Sequence, residues 1–267
     1  MADKTIIAWT HHTFNVVWGC QKVSEGCRNC YAYTLSSRYG YPGIWGPPKT
    51  TSRRVFGEGH WSDPRKWQKK AAQDGVTRLV FSSSMCDNFE DHPQVMADLQ
   101  KLWPVIRETP NLHWQLLTKR PERITESLPA DWGEGYPNVW LGVSVEDMRV
   151  AERVDHLRRI PAVVRFISYE PALGSLNGLD LSGIDWLIYG GESGPGYRDH
   201  DPQWARDMRA RCGADGRAFF FKQSPAPRTE MGTQLDGETI RKYPTPRLGT
   251  VAPLDIAIGA ALLPILG

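Results

Sequence analysis

Short apolar runs recur along the chain, and longer polar or helical stretches separate them. The runs are apolar at consecutive positions, which is typical of parallel strands that are covered on both faces. Regular alternation of such strands with helices indicates an α/β fold built on a parallel sheet. The runs lie at residues 5–9, 78–82, 113–118, 139–144, 164–169, 186–189 and 218–221.

The stretches at residues 93–107 and 145–159 carry apolar residues at helical spacing. A third helix is predicted at residues 201–212, which open with Asp-Pro, a pair that suits an N-cap followed by a first-turn proline. This repetition of strand and helix favours a partial or closed (β/α) barrel with parallel strands over a small open sheet. The chain has 267 residues, a length that such barrels commonly use as one domain. We therefore predict a single barrel domain over residues 1–225, with residues 38–62 as a lid or inserted loop and residues 226–267 as a C-terminal extension.

The two ends of the chain bear on where the protein works. The first residues lack the basic region and apolar run of a secretory signal. The five cysteines cannot all pair with one another, and both features favour a cytoplasmic protein. The uncharged segment at residues 256–267 is too short to cross a bilayer, so we expect no membrane span. We expect a terminal helix packed on the body; contact with a membrane surface or a partner is the alternative.

Polar residues follow six of the predicted strands at the point where each strand ends. Because the carboxyl ends of barrel strands carry the active site, we predict one shared polar site there. Ordinary solvated loops with helix N-caps would explain any one of these ends but fit less well for all of them. The residues at these ends include Lys119, Ser144, Glu146, Glu170, Gly190, Gly191 and Glu192.

Three cysteines, Cys20, Cys27 and Cys30, lie just after the first predicted strand. Six residues separate the first pair and two separate the second. Thiolates are soft ligands for iron–sulfur clusters, zinc and copper(I). A [4Fe–4S] cluster usually takes four cysteines, so three would leave one iron open for catalysis. We predict a cluster; the alternative is a structural zinc site that takes Cys86, Cys212 or a histidine as its fourth ligand.

Residues 38–62 are rich in glycine, proline, aromatic residues and arginine and show no clear periodicity. A loop of this length is usually functional or disordered. Residues 1–70 also carry 11 Lys/Arg against 4 Asp/Glu, which favours a polyanionic partner. We predict that Arg53 and Arg54 contact phosphates and that Trp45 and Trp61 stack on bases of DNA or RNA. The alternatives are a solvated basic face and a lid that packs its aromatic side chains onto the barrel.

Several short motifs between about Ile6 and Gln223 are specific when they are taken together. They are Trp18-Gly-Cys20 with Cys27 and Cys30-Tyr-Ala, Ser84-Met-Cys-Asp87, Leu117-Thr-Lys-Arg-Pro121, Leu141-Gly-Val-Ser-Val-Glu146, Ser168-Tyr-Glu-Pro171, Gly190-Gly-Glu-Ser-Gly-Pro195 and Phe219-Phe-Phe-Lys-Gln223. This set resembles a three-cysteine-motif, radical-SAM-like family that is known mainly from bacteriophage and bacterial genomes. That family has no assigned reaction.

The order of these motifs is also similar to that of the spore photoproduct lyase group of radical S-adenosylmethionine (SAM) enzymes. In radical SAM enzymes the open iron of the cluster binds the amine and carboxylate of SAM, so the resemblance implies both cofactors. The family usually places three residues between its first two cysteines, whereas this chain has six. The family's Gly-Gly-Glu sequence normally ends the second strand; in this chain it follows the sixth.

The resemblance also assigns roles to residues at the strand ends. Cys86 would return a hydrogen atom to the product, as a cysteine does in the lyase group. The alternative is that Cys86 is a small buried thiol without a role in the reaction. The candidate catalytic residues are Lys119, Glu170 and Cys86, and the candidate cofactor-binding residues are Ser144, Glu146, Glu170, Gly190, Gly191 and Glu192.

The function that follows is that of an iron–sulfur enzyme that cleaves SAM and acts on nucleic acid, in repair or in base modification. Such an enzyme needs an electron donor. Two alternatives stay open: a nucleic-acid-binding module with a structural iron–sulfur or zinc site, and a subunit that works only with a partner enzyme. The first predicts salt-sensitive binding without SAM cleavage, and the second predicts that the isolated chain is inactive. A plain hydrolase would leave the three cysteines unexplained.

Overall fold

A parallel sheet of seven strands forms the centre of the protein, in a computed structural model that describes residues 5–247 and 252–255. The strands follow one another across the sheet in chain order, and each neighbouring pair is parallel. Within the described residues β1 and β7 are the two edges, so the sheet is a partial α/β barrel. The strands are β1 (His12–Phe14), β2 (Arg78–Ser82), β3 (Leu112–Thr118), β4 (Val139–Ser144), β5 (Val164–Tyr169), β6 (Trp186–Gly190) and β7 (Ala218–Gln223).

Helices fill most of the connections between the strands. Short 3-10 turns lie at Glu25–Cys27, Pro42–Ile44, Pro121–Arg123 and Met148–Val150. The α-helices of the described residues are α1 (Tyr31–Arg38), α2 (Glu58–Trp61), α3 (Asp63–Asp74), α4 (Pro93–Arg107), α5 (Ile124–Ser127), α6 (Glu152–Arg158) and α7 (Pro202–Ala214).

Large aromatic side chains fill the inside of the curled sheet. Trp186 lies with its ring centroid 5.8 Å from that of Trp140 and 5.7 Å from that of Phe166. Phe166 in turn covers Gly142, where a Cβ would come within 2.3 Å of the phenyl ring. Because side chains alternate between the two faces of a strand, these residues share the inner face. The inner core occupies the middle and the amino-terminal end of the barrel.

The outer face of the sheet packs against the helices. Leu99, Leu102 and Ile106 of α4 are fully buried there, together with Trp67 of α3 and Met208 of α7. Burying a leucine or isoleucine side chain stabilises the folded state by roughly 1.5–3 kcal/mol. This outer core is the larger of the two apolar clusters, and it fixes the helices relative to the strand ends.

Six of the predicted strands are confirmed, with ends that agree to within two residues. The prediction of the first strand at residues 5–9 is wrong: this segment forms a turn in which the Thr10 N–H donates to the Ile7 carbonyl at 3.3 Å. The Trp9 ring lies in the inner core, 4.5 Å from that of Phe81, so the chain turns there before it enters the sheet. The first strand is β1, which pairs with β2.

The helix predicted at residues 93–107 is confirmed as α4. Asp201 is the predicted N-cap of α7, and its carboxylate accepts a hydrogen bond from the Gln203 N–H at 2.8 Å. The helix predicted at residues 145–159 is shorter, because the chain continues in the strand direction beyond β4. The Val145 N–H donates to the Ser168 carbonyl at 3.0 Å, and Asp147 then caps the 3-10 turn that precedes α6.

The described part of the C-terminal extension packs against the barrel, while the boundary at residue 225 stays a prediction. The Ile240 carbonyl accepts a hydrogen bond from the Phe221 N–H at 2.8 Å. The Tyr243 ring lies 5.4 Å from that of Trp186 at the amino-terminal end of the barrel. The helix predicted at residues 256–267 lies outside the described residues. Across residues 5–247 and 252–255, no helix has both the length and the apolar character to cross a membrane.

Buried histidines make the stability of this fold depend on pH. His113 lies inside the barrel beside Trp140, and burial lowers its pKa to about 4. Burial also lowers the pKa values of His11 and His60 to about 4, against the opposing effect of nearby carboxylates. An unfolded histidine takes up its proton near pH ~6.5, so the unfolded chain binds more protons than the folded protein between these two values.

We expect the folded protein to lose stability as the pH falls from about 6.5 to about 4, by roughly 2–3 kcal/mol for each of these histidines. Above the unfolded pKa these histidines are neutral in both the folded and the unfolded state, so this loss of stability does not occur there. Urea unfolding of the protein at neutral and at mildly acidic pH measures this loss, and His113→Leu should flatten the pH dependence. The matched control is His156→Leu on α6, where the side chain is half-buried. Equal flattening in the two variants would contradict the assignment to His113.

Candidate functional site

The carboxyl ends of the strands form the floor of one large cavity, with a volume of about 1570 Å³. Here the inward-facing positions carry small or polar side chains in place of the aromatic rings of the inner core. The polar strand ends that we predicted to share one site do meet in this cavity. Its lining includes Ser83, Cys86, Asp87, Lys119, Arg120, Ser144, Ser168, Glu170, Glu192 and Lys222.

The cysteine loop lies along one side of this cavity. It follows β1, passes through the 3-10 turn that ends at Cys27, and reaches Cys30, the N-cap of α1. Cys20 and Cys30 line the cavity, and Cys27 is close enough to Cys30 for their charges to interact. All five cysteines lie within the described residues and are free thiols. In this part of the chain, no three His, Cys, Asp or Glu side chains converge on a single metal ion.

Cys20 belongs to a buried network of charged groups. Arg120 Nη1 donates to Cys20 Sγ at 3.5 Å and to Asp87 Oδ2 at 3.0 Å, and its Nη2 donates to the Gln21 carbonyl at 2.8 Å. Asp87 also accepts a hydrogen bond from the Thr118 hydroxyl at 2.7 Å. Burial raises the pKa of Cys20 to about 12, against the opposing effect of Arg120. The Arg120 guanidinium therefore stabilises the thiolate form of Cys20, which is the form that binds metal.

Glu90 anchors the same segment from the other side. It is 1% exposed and accepts hydrogen bonds from the Gln21 N–H at 2.7 Å and from Arg53 Nε at 2.8 Å. The other Arg53 donors bind backbone carbonyls of residues 44, 46 and 51. The Arg53 guanidinium is buried and holds the inserted stretch against the Cys20 segment, and its predicted phosphate contact stays a prediction.

Glu146 holds the middle of the cysteine loop. Its carboxylate accepts hydrogen bonds from the Ser24 hydroxyl at 2.8 Å and from Arg153 Nη1 at 2.9 Å. Gly26 lies directly against it, and a Cβ at that position would come within 2.3 Å of Glu146 Oε1. Glu146 is buried, and its carboxylate holds the cysteine loop through these contacts with Ser24 and Gly26. The predicted contact of Glu146 with a cofactor stays a prediction.

Glu192 lies at the edge of the cavity and holds the end of the same loop. Asn29 Nδ2 donates to its carboxylate at 3.0 Å, and Arg198 Nε donates at 2.9 Å. Burial raises the pKa of Glu192, but these two hydrogen-bond donors outweigh burial, and the net effect is a lowered pKa. The carboxylate is therefore ionised and already occupied by the loop.

Gly190 and Gly191 let the end of β6 approach its neighbours closely. A Cβ on Gly190 would come within 2.9 Å of the Glu170 carboxyl carbon, and one on Gly191 within 2.2 Å of the Pro225 nitrogen. Any larger residue would displace one of these neighbours. Packing of the cavity wall therefore explains both glycines, and their predicted contact with a cofactor stays a prediction.

Cys30 lies at the amino terminus of α1, where backbone N–H groups of the first turn approach its thiol. Burial raises the pKa of Cys30, and these N–H groups and Lys119 act in the opposite direction. For Lys119, burial lowers the pKa, but the charges of Glu146, Cys27 and Cys30 raise it by more. A cation and a helix amino terminus thus face this pair of thiols, an arrangement that stabilises thiolates.

Glu170 and Lys222 form an ion pair at the floor of the cavity. Lys222 belongs to β7 and faces inward, while Glu170 directly follows β5. Glu230 is near enough for its charge to interact with both, and burial raises its pKa. The Glu170 side chain is 21% exposed, so this predicted catalytic and cofactor-binding carboxylate is accessible from the cavity.

Cys86 contributes a thiol to the cavity wall that follows β2. Its Sγ lies 3.7 Å from Asn15 Oδ1 and 3.8 Å from Asn88 Oδ1, and both contacts are of hydrogen-bonding type. Burial raises the pKa of Cys86, so the thiol keeps its proton. The structure places Cys86 in the cavity, and its role as a hydrogen-atom donor stays a prediction.

The remaining residues that we predicted to contact nucleic acid divide into two kinds. Trp61 is buried in the outer core, with its ring 5.3 Å from that of Phe14, and its predicted stacking on bases stays a prediction. Trp45 and Arg54 are half-buried and line the cavity. The Arg54 guanidinium lies 4.6–4.7 Å from the centroids of three aromatic rings. These rings belong to Trp18, Tyr41 and Phe56.

Two residues of the site had no specific role in the sequence prediction. Arg120 contacts Cys20 across a separation of 100 residues, which neither residue type reveals. The Tyr31 hydroxyl donates to the Ser84 carbonyl at 2.6 Å and joins α1 to the segment after β2. The sequence offers one indication for each: Arg120 directly follows Lys119, and Tyr31 directly follows Cys30, both of which are predicted site residues.

The donor set of the loop consists of soft ligands that suit an iron–sulfur cluster or a zinc ion. Three thiols lie on one loop, with Arg120 beside Cys20 and Lys119 beside the other two. These cations would offset the negative charge of a cluster bound by thiolates.

Comparisons with known proteins place the chain in a family. No curated protein sequence matches it. A solved structure of a spore photoproduct lyase mutant, with bound AdoMet and dinucleoside spore photoproduct, is similar with a TM-score of 0.48 and 15% sequence identity. The match covers 76% of this chain and 61% of that one, so the chain spans about three fifths of the similar structure. The phage and bacterial distribution implied by the motifs stays a prediction. Residues 4–244 match the family described as "Protein of unknown function (DUF5131)", and the chain therefore belongs to this family.

Proposed function

We propose that the protein is an iron–sulfur enzyme that binds a [4Fe–4S] cluster on Cys20, Cys27 and Cys30 and uses SAM in the adjoining cavity. One observation carries the proposal: a loop with three free thiols borders a large cavity at the carboxyl ends of a parallel partial barrel. Barrels of this kind carry their active sites at that end. The cavity also gives a second cofactor room beside the loop.

When bound, a reduced cluster with one iron left open by the protein supplies the electron that cleaves the sulfonium of SAM. The residues of the chain bind and orient. Arg120 and Lys119 place positive charge beside the thiolates. Glu90, Glu146 and Glu192 fix the beginning, middle and end of the cysteine loop. These contacts reach the ends of several strands, so the loop is held in place by the barrel itself.

The residues left to bind SAM are those whose polar groups face the cavity. The hydroxyls of Ser144 and Ser168 suit the ribose, since a hydroxyl both donates and accepts hydrogen bonds. The partly exposed carboxylate of Glu170 suits the amine. Lys119, which also lines the cavity, is a candidate for the SAM carboxylate.

We further propose nucleic acid as the substrate class, with repair or base modification as the kind of reaction. The excess of basic residues in positions 1–70 supports this choice. The enzyme would need a one-electron donor, and a partner protein could supply it. A reducing cytoplasm agrees with five unpaired thiols, which would be at risk of pairing in a more oxidising compartment.

Anaerobic reconstitution with iron and sulfide, followed by electron paramagnetic resonance, tests the proposal. We expect the reduced protein to show the signal of a [4Fe–4S] cluster and the signal to change when SAM is added. The reason is that SAM would occupy the iron that no cysteine binds. Adenosine is the matched control: it lacks the methionine part of SAM, with its amino group and carboxylate, and should leave the signal unchanged.

Other outcomes would decide against parts of the proposal. Zinc in place of iron would mean that the cysteines are structural and would favour a nucleic-acid-binding module. A cluster whose signal ignores SAM would keep the iron–sulfur site but exclude SAM as its second cofactor. Activity that appears only after a second protein is added would favour a partner-dependent subunit.

A further inference from the structure

Helix α1 packs on the body of the protein through two of its smallest side chains. Of its eight residues, Ala32 and Ser36 are buried, and they lie one turn apart on one face. A surface helix usually buries its large apolar residues and exposes its polar ones. In α1 this order is reversed, so the helix presents large side chains to the outside.

Tyrosine side chains cover this exposed surface. Tyr31, Tyr33, Tyr39 and Tyr41 are 48, 41, 61 and 38% exposed. All four border the mouth of the cavity, and we call this set the tyrosine platform. Contiguous exposed apolar surface marks an interaction site in most soluble proteins. Tyrosine gives such a site broad, flat contact area at a small cost in conformational entropy.

Cations lie between these rings. Lys22 Nζ is 5.6 Å from the centroid of the Tyr33 ring, and the Arg54 guanidinium is 4.6 Å from that of Tyr41. Arg38, in the last turn of α1, borders the same mouth. The three acidic residues that line the cavity are each paired with an arginine or a lysine. The mouth therefore combines flat rings with positive charge.

We infer that the tyrosine platform binds single-stranded nucleic acid, with unpaired bases stacked on the rings and phosphates beside the cations. A surface that carries both exposed rings and cations is complementary to a strand, which has both bases and phosphates. In a duplex the base faces are covered by neighbouring bases, so a tyrosine ring can stack only on a base that has left the helix. The inference deepens the proposed function, since it rests on a substrate that reaches the cysteine loop.

Tyr31 joins the platform to the candidate site. Its ring spans from α1 to the segment after β2, where its hydroxyl binds the Ser84 carbonyl. It directly follows Cys30, and its hydroxyl is near Cys86 and Glu170. A base stacked at this end of the platform would lie at the entrance to the cavity, and the rest of the strand would cover the other tyrosines.

Fluorescence anisotropy with a labelled oligonucleotide, alone or annealed to its complement, tests this inference on the full chain. We expect the single strand to bind more tightly than the duplex. Tyr33→Ala and Tyr39→Ala should each weaken single-strand binding roughly tenfold, because each removes a stacking surface. Tyr39→Phe should keep wild-type affinity, since stacking needs the ring and not the hydroxyl. Arg38→Gln should reduce the dependence of affinity on salt.

Tyr197→Ala is the matched control, because Tyr197 is 40% exposed and is not among the residues that border the cavity. This variant should bind like the wild type. Far-ultraviolet circular dichroism of every variant shows whether α1 and the barrel stay folded.

Several results would overturn the inference: equal affinity for duplex and single strand, or alanine variants of the platform that bind like the wild type. A dimer in solution that Tyr39→Ala dissociates would also overturn it, because a second copy would then cover the platform. The binding assay contains no SAM and no reductant, so it is independent of the proposed chemistry. If SAM leaves the paramagnetic signal unchanged while the protein still binds the single strand, only the proposed function is excluded. If SAM changes the signal but the platform variants bind the strand like the wild type, only this inference is excluded.

Discussion

Replacing Cys30 with alanine should abolish cluster binding. After anaerobic reconstitution we expect about four irons and four sulfides per chain in the wild type and almost none in Cys30→Ala. Two remaining thiolates cannot hold the cluster against loss, and the thiol removed is the one at the amino terminus of α1. Iron and sulfide analysis measures the effect, and the yield of 5′-deoxyadenosine from SAM should fall to the level seen without protein.

Two other cysteines provide controls for this experiment. Cys212 is buried in α7 and packs in the outer core, so Cys212→Ala should keep the full iron content. Cys86→Ala should also keep it, because Cys86 is expected to contact the substrate side of the cavity and not the metal. Loss of iron from Cys86→Ala, with iron retained in Cys27→Ala, would contradict the proposed ligand set.

Glu90→Gln should destabilise the folded protein by roughly 3–5 kcal/mol, the usual cost of removing one partner from a buried ion pair. Arg53 and Glu90 are both fully buried, with Nε and Oε2 2.8 Å apart. Arg120 Nη2 lies 3.5 Å from the same carboxylate. Glutamine keeps the shape of glutamate but leaves the buried Arg53 guanidinium without its counter-charge, while Arg120 keeps Asp87. Urea unfolding of the apoprotein measures the loss.

Glu126→Gln is the control for this prediction. Glu126 pairs with Arg123 at 2.8 Å, but its side chain is 59% exposed. Exposed pairs of this kind contribute about 1 kcal/mol or less. Glu90→Asp keeps the charge and should recover part of the stability, so the comparison separates charge from packing. Equal losses in Glu90→Gln and Glu126→Gln would mean that the buried charge does not hold the Cys20 segment.

The sequence predicted the sheet well because its signal is local. Consecutive apolar residues specify a strand that is covered on both faces, and six of the predicted strands lie where they were expected. The segment with Trp9 was misleading for a physical reason. Its residues are as apolar as those of a strand, but the indole fills the inner core from a turn. Burial alone does not separate these two cases.

The candidate site was predictable as a region and not as a set of contacts. The strand ends that gather in the cavity follow from the direction of a parallel barrel. The roles of Glu146 and Glu192 do not follow from it, because their partners Ser24 and Asn29 come from a loop more than a hundred residues away. The sequence also does not show that Arg53, in a basic and aromatic stretch, pairs with Glu90 inside the protein.

The side chains that hold the cysteine loop also bear on whether the protein folds before or after it binds metal. Glu90, Arg120, Glu146 and Glu192 belong to segments that follow four different strands, and each contacts the loop. Zinc fingers, in contrast, fold only when metal arrives, because nothing else orders their ligands. In this chain four segments of the barrel hold the cysteine loop without any metal. If the proposed function holds, the polypeptide can therefore fold before it receives iron and sulfide.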